Sequence, residues 1–218
     1  VLVSTIITNA MSKADISNQN FYPQNDQLFD AQLCYNEMYE LMAENDDDYF
    51  VTQVYLTPGT DFTSDANRES VFIYTLPDDF FRLRMLSYHA QGGGYFLPCY
   101  KMDVNNFGNT QSSPGYRLVG STIEIYDPFG MDQYAFWYYP SAQQLEVSTE
   151  LVFPHNAMYE YIVWRMAEYI KRKQNQDSSK QQEVADRIMQ TMKKQSRRDD
   201  FRAQAPKDIF SDGNQWWQ

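Results

Sequence analysis

The sequence predicts an α+β protein. Helices from the N- and C-terminal parts of the chain form a bundle, an antiparallel β-rich region is inserted between them, and an extended C-terminal tail follows. Three observations carry this reading. Apolar residues recur at helical spacing near the start and again after Pro154. The stretch between is rich in β-branched and aromatic residues bounded by Gly, Pro and Asn. From Ser196 onward the chain holds Pro206 and Gly213, and its aromatics fit no helix or hairpin of their own. With 218 residues, 43% apolar and 16% aromatic, there is material for one core with appendages, and the main domain is expected over 1–195.

Residues 3–12 predict a short helix. The run after Asn25 has apolar residues at 28, 31, 34/35, 38 and 41/42, so a second helix is expected over 26–43, with Asn25 and Asp26 as capping candidates. Carboxylates at a helix C-terminus oppose the macrodipole, so Glu44–Asp48 should stop it near Ala43 and leave the aspartates in a turn. The β-rich insertion spans about 50–140. FVTQVYL (50–56) and VFIYT (71–75) read as strands with loop chemistry between them. YRLVGSTIEIY (116–126) reads as a hairpin turning at Gly120-Ser121, and QYAFWYY (133–139) as a strand closed by Pro140. Residues 91–115 hold most of the glycines and read as a long excursion.

Helical spacing returns at 156–174 through Met158, Tyr161, Ile162, Met166 and Tyr169, which are expected to pack the bundle. Asp177-Ser178-Ser179 interrupts it. Ser179 and Gln182 then suggest a capping box for a last helix over 179–195, with Val184, Ala185, Ile188, Met189 and Met192 as its apolar stripe.

Charge is unevenly spread along this order. The net charge is −11, yet residues 165–207 carry 12 Lys and Arg against 6 Asp and Glu. An acidic body argues against tight nucleic-acid binding by that body, whereas the basic segment reads as a solvated helix face or an arm that contacts nucleic acid. Cys34 and Cys99 are too few for a disulfide framework or a zinc site, and buried thiols in a reducing compartment are expected. The opening VLVSTIITN has no basic flank and is too short for a membrane span, so a soluble, cytosolic product is expected with no membrane association.

Chemistry-bearing patterns are sparse. His89 and His155 lack metal-ligand spacing. A Cys99–His89 pair has no local feature marking a nucleophile. DPFG (127–130) reads as a turn, GGG (92–94) lacks a phosphate-loop context, and Asp46–Asp48 lacks calcium-loop spacing. No catalytic residue, metal or cofactor is assigned. Paired carboxylates distant in sequence stay open as a hydrolase alternative, because 29 acidic residues leave many combinations.

The order of segments carries a further signal. YTLPDDFFRLRML (74–86), the hairpin YRLVGSTIEIYDP, the strand QYAFWYYP and then LVFPHNAMYEYIVWRMAEYIKRK follow one another over roughly residues 26–210. This order resembles the head-to-tail connector or adaptor proteins of short-tailed, podovirus-like bacteriophages. Tyr138-Tyr139-Pro140 and Tyr159, Tyr161, Ala167 and Tyr169 stand where that family has its aromatic strand end and tyrosine-bearing helix, and RRDDFRAQAPKDIF resembles its tail. The resemblance implies a structural virion protein and no enzyme. It implies a ring, commonly of twelve copies, below the portal protein at the head–tail junction, assembled in the host cytoplasm. A downstream tail or ring protein binds the other side, and genomic double-stranded DNA passes through with transient, non-specific contacts. Within that reading Lys193, Lys194, Arg197, Arg198, Phe201, Ile209, Phe210, Trp216 and Trp217 are the expected interface to the portal or another subunit. A virion-borne cell-wall hydrolase and a non-ring connector or stopper are the alternatives.

Overall fold

The computed structural model describes residues 1–16, 22–45, 48–89, 95–103 and 113–203, with residues 195–203 described by their backbone alone. The fold is α+β and the chain divides into two compact units. One comprises Val1–Tyr49 together with the chain from Ala142 onward; the other is Phe50–Ser141.

The first unit is helical: α1 (Val3–Lys13), α2 (Gln24–Glu44), α3 (Asn156–Lys173) and α4 (Ser179–Ala203). Helices α1, α2 and α4 each pack on α3, so both chain ends build one bundle, as the apolar spacing anticipates. Val3, Ile6, Ile7 and Ala10 line the inner face of α1, and Cys34, Met38 and Met42 that of α2. Met158, Ile162 and Met166 on α3 are at most 1% exposed, and truncating any one to alanine costs on the order of 2–5 kcal/mol. The segment before α3 is tied to the front of α1, with the Val3 amide donating to Thr149 (3.0 Å) and the Leu151 amide to Val1 (2.8 Å).

The helix ends correct several sequence expectations. Helix α2 starts earlier than expected, after Pro23, and no side chain caps it. Proline at that position sets the entry backbone, so Asn25 and Asp26 lie inside the first turn and cannot serve as caps. The capping box of Ser179 and Gln182 does not form. Ser179 is already helical, and the Asp177 carboxylate accepts from its amide (3.0 Å) and hydroxyl (2.6 Å). Asn175 adopts φ +55° after α3, so the Gln176 amide reaches the Lys171 carbonyl (3.0 Å) and closes the helix end. Asp15 closes α1 the same way at φ +58°. The backbone of α4 runs on to Ala203, which places 196–203 in a helix where an extended tail is expected. Helix-favouring Arg and Ala in SRRDDFRA suit this continuation.

The second unit is a two-sheet sandwich. Its strands are β1 (Thr52–Leu56), β2 (Thr63–Ser64), β3 (Val71–Thr75), β4 (Phe80–His89), β5 (Phe96–Pro98), β6 (Tyr100–Lys101), β7 (Gly115–Val119), β8 (Thr122–Tyr126) and β9 (Tyr134–Pro140). One sheet has the order β1-β9-β4-β5 and the other β2-β3-β8-β7-β6. All pairs are antiparallel except β6–β7, which is parallel. The β7–β8 hairpin turns at Gly120, whose φ of +58° suits a glycine-first turn. Leu56, Leu86, Tyr88, Tyr134, Phe136 and Tyr138 of the first sheet meet Ile123 and Ile125 of the second. Aromatic rings in this layer cross edge to face, Phe62 on Tyr134 and Tyr74 on Phe136, both at 5.6 Å. Two expectations change here. The loop between 56 and 71 contains β2, and the excursion at 91–115 supplies β5 and β6, short strands that Gly and Pro punctuation hides.

Candidate functional site

The residues expected to pack the bundle do so within the chain. Met158, Tyr161, Ile162, Met166 and Met192 are buried, Ile188 is half-buried, and Tyr169 is half-buried with its hydroxyl donating to Glu37. Of the expected tail interface, Lys193 is half-buried and Lys194 exposed on α4. Arg197, Arg198 and Phe201 have helical backbone, but their side chains lie outside the described residues, as do Ile209, Phe210, Trp216 and Trp217 entirely.

The α2–α3 contact contains a charged seam that apolar periodicity does not reveal. Asp30 and Glu37 on α2 face Arg165, Glu168 and Lys173 on α3. Arg165 donates to Glu37 (3.0 Å) and to Glu168 (2.7 Å), while Lys173 donates to Asp30 (2.8 Å). Glu168 is fully buried. Its second oxygen lies 2.6 Å from Arg172, a charge contact without hydrogen-bond geometry. Tyr22 also donates to Asp30. Burial, with Glu37 adding to it, pushes the Tyr161 hydroxyl up to about 12. Spacing of Arg165, Glu168 and Arg172 at three and four was the available sequence signal. Opposite charges matched across two helices fix their register, which is the role such a seam can play.

A second ionic cluster anchors the sandwich. Glu124 accepts both terminal nitrogens of Arg68 (2.8 Å each) and Nε of Arg117 (2.7 Å). These bonds, Arg68's first, hold its carboxyl below the usual range. A general acid needs the opposite shift, so Glu124 suits structure rather than proton delivery. Asp127 is likewise occupied, accepting amides of Phe129, Gly130 and Met131 in the DPFG turn.

Neither thiol resembles a nucleophile. Cys34 and Cys99 are free and buried, and burial pushes both well above an ordinary thiol. The His89 ring lies edge-on against Phe96 at 5.3 Å. Among the described residues no group of three or more His, Cys, Asp or Glu is placed to hold a metal ion, and no helix is long and apolar enough to cross a membrane.

What the structure does display is exposed apolar surface. On the helical unit Phe29 and Leu33 project from α2 one turn apart, 66% and 38% exposed. On the sandwich, Phe81 and Met85 of β4 and Leu118 and Val119 of β7 are each 40% exposed or more. Between these two strands opens a groove of about 340 Å³, lined by Phe81, Leu83, Tyr116 and Leu118, with Arg82 and Lys101 adding positive charge. Sequence reading missed this surface. Two register shifts in β4, between Phe80 and Arg82 and between Leu83 and Met85, break the simple alternation that assigns faces. No family model and no curated protein matches the chain. The described surfaces thus combine packed ionic seams, engaged carboxylates, buried thiols and an apolar groove.

Proposed function

We propose that this chain is a structural virion protein: the subunit of a ring that sits below the portal, joins the filled head to the tail and lets DNA pass through its channel. The observation that carries the reading is the ordered series of segments from YTLPDDFFRLRML to the tyrosine-bearing helix, which resembles head-to-tail adaptors of short-tailed phages. The architecture supports it: the chain folds as a helical unit built by both chain ends and an inserted β sandwich, and each unit carries exposed apolar side chains of its own that a neighbour can cover. The net charge of −11 also supports it, since an acidic channel repels phosphate and lets DNA slide. In this proposal the monomer is preformed, and the segment after α4 attaches by folding onto another chain. No chemistry is assigned to it.

Mass measurement of the purified chain, alone and mixed with portal protein, tests the proposal. A discrete ring, with twelve copies the expected number, is the supporting result. A chain that forms no defined multimer at any ratio counts against it.

A further inference from the structure

We propose that the outer face of α2 docks on the basic flank of α4 of a second copy, so that copies associate head to tail through their helical units. This rests on the ring reading, which sets copies side by side, and it names the two surfaces that meet.

The α2 face is a single row. Phe29, Leu33, Glu40 and Glu44 are all exposed, at spacings that return to one side of the helix, with Phe29 66% and Leu33 38% exposed. Helix α2 carries Asp26, Asp30, Glu37, Glu40 and Glu44 and no Lys or Arg. Its C-terminal end also bears the negative pole of the helix dipole, so Glu40 and Glu44 stand in an unfavourable field that a cation relieves. A second α2 set against this face brings like charges together, which is costly at a contact. The face therefore selects a basic partner that also offers some apolar surface.

The same bundle presents such a surface. On α4, Lys180, Val184, Arg187, Thr191 and Lys194 recur at spacings of four and three and form one flank. Lys180, Arg187 and Lys194 are exposed and Val184 is half-buried. Arg187 pairs with Glu183 on its own helix (2.8 Å), which leaves the two lysines to meet a neighbour's carboxylates. This flank points away from the chain's own α2. Gln182 accepts from Arg172 at 3.4 Å, and Tyr161 of α3 lies within electrostatic reach of both Glu37 on α2 and Asp186 on α4. The side of α4 bearing Gln182 and Asp186 is thus the one turned to α2, and residues 180, 184, 187 and 191 fall on the opposite flank of the helix. Length fits as well, since Phe29 to Glu44 and Lys180 to Lys194 each span roughly 21–23 Å of helix. An acidic face and a basic flank on different sides of one unit make a heterologous contact, the kind that repeats from copy to copy until a ring closes.

Paired charge reversals in the full chain test this. One variant carries Glu40→Lys and Glu44→Lys, the other Lys180→Glu and Lys194→Glu. All four residues are exposed, so thermal melts of both variants should match the parent chain. Association between copies is read by sedimentation over a range of concentrations, alone and with portal protein. Each variant by itself should associate about two- to thirtyfold more weakly than the parent, the range for two exposed ion pairs lost. An equimolar mixture should recover association, because every contact in it can join unlike faces, and so should a chain carrying all four changes. The inference is overturned if either variant associates like the parent, if mixing restores nothing, or if the reversals weaken attachment to the portal while contacts between copies persist. Ring closure on the portal is counted separately by mass. A ring that ignores both reversals overturns this inference alone. Copies that associate through these faces without closing a ring overturn the ring reading and leave the contact standing. A parent chain that stays monomeric under both conditions overturns both.

Discussion

Replacing Arg165 with methionine probes the charged seam of the helical bundle. The change removes the donor 2.7 Å from Glu168 and 3.0 Å from Glu37. Glu37 is 29% exposed and keeps water, but Glu168 has no exposure at all and retains only Arg172, whose contact lacks hydrogen-bond geometry. Stripping one partner from a buried pair costs about 3–5 kcal/mol. Arg172 remains 2.6 Å from Glu168 and is itself half exposed, so we expect about 2–3 kcal/mol. For a chain of this size that lowers Tm by about 4–12 °C. The double variant Arg165→Met/Glu168→Leu removes the stranded carboxylate and should recover roughly 1–3 kcal/mol relative to Arg165→Met. Urea unfolding followed by helical circular dichroism measures all four members of the cycle. If the double variant loses the sum of the two single losses, within about 0.5 kcal/mol, the seam is not a coupled unit and the reasoning fails.

Glu124 gives a pH prediction. Its folded-state pKa lies below the unfolded value, so its contribution is present above about pH 4.3 and is lost as pH falls through the folded pKa. Acid titration of stability should therefore show a loss that is blunted in Glu124→Gln. Gly120→Ala should destabilise by about 1 kcal/mol through its positive φ alone, since no atom lies within 4 Å of an added Cβ, and Gly120→Asn should recover part of that. Deleting Asp208–Gln218 should leave thermal unfolding unchanged and weaken attachment to other chains. If the truncated chain unfolds, Trp216 and Trp217 belong to its own core.

The helices were legible because each carries a stripe at spacings of three and four, and the strands because β-branched and aromatic runs lie between turn residues. What escaped was set by the third dimension. Glu168 sits inside the stripe formed by Met166, Ala167 and Ile170, where a sequence reader assigns a carboxylate to solvent. Its charge is met there by Arg165 and Arg172, three and four residues away on the same helix. The groove escaped because it requires two strand edges, at Phe81 and Leu118, to approach through sheet packing. The helix starts differ from the pattern because Pro23 sets the entry of α2 without a side-chain cap and Asp177, not Ser179, supplies the accepting side chain before α4. Glycine-rich punctuation obscured β5 and β6 because strands of three and two residues carry almost no periodicity.

The most direct test of the ring proposal is an image of the portal complex reconstituted with this chain, resolved well enough to count copies and distinguish helices from strands. The account predicts a closed ring below the portal with a continuous central channel. A complex with no closed ring, or a ring with no open channel, contradicts it.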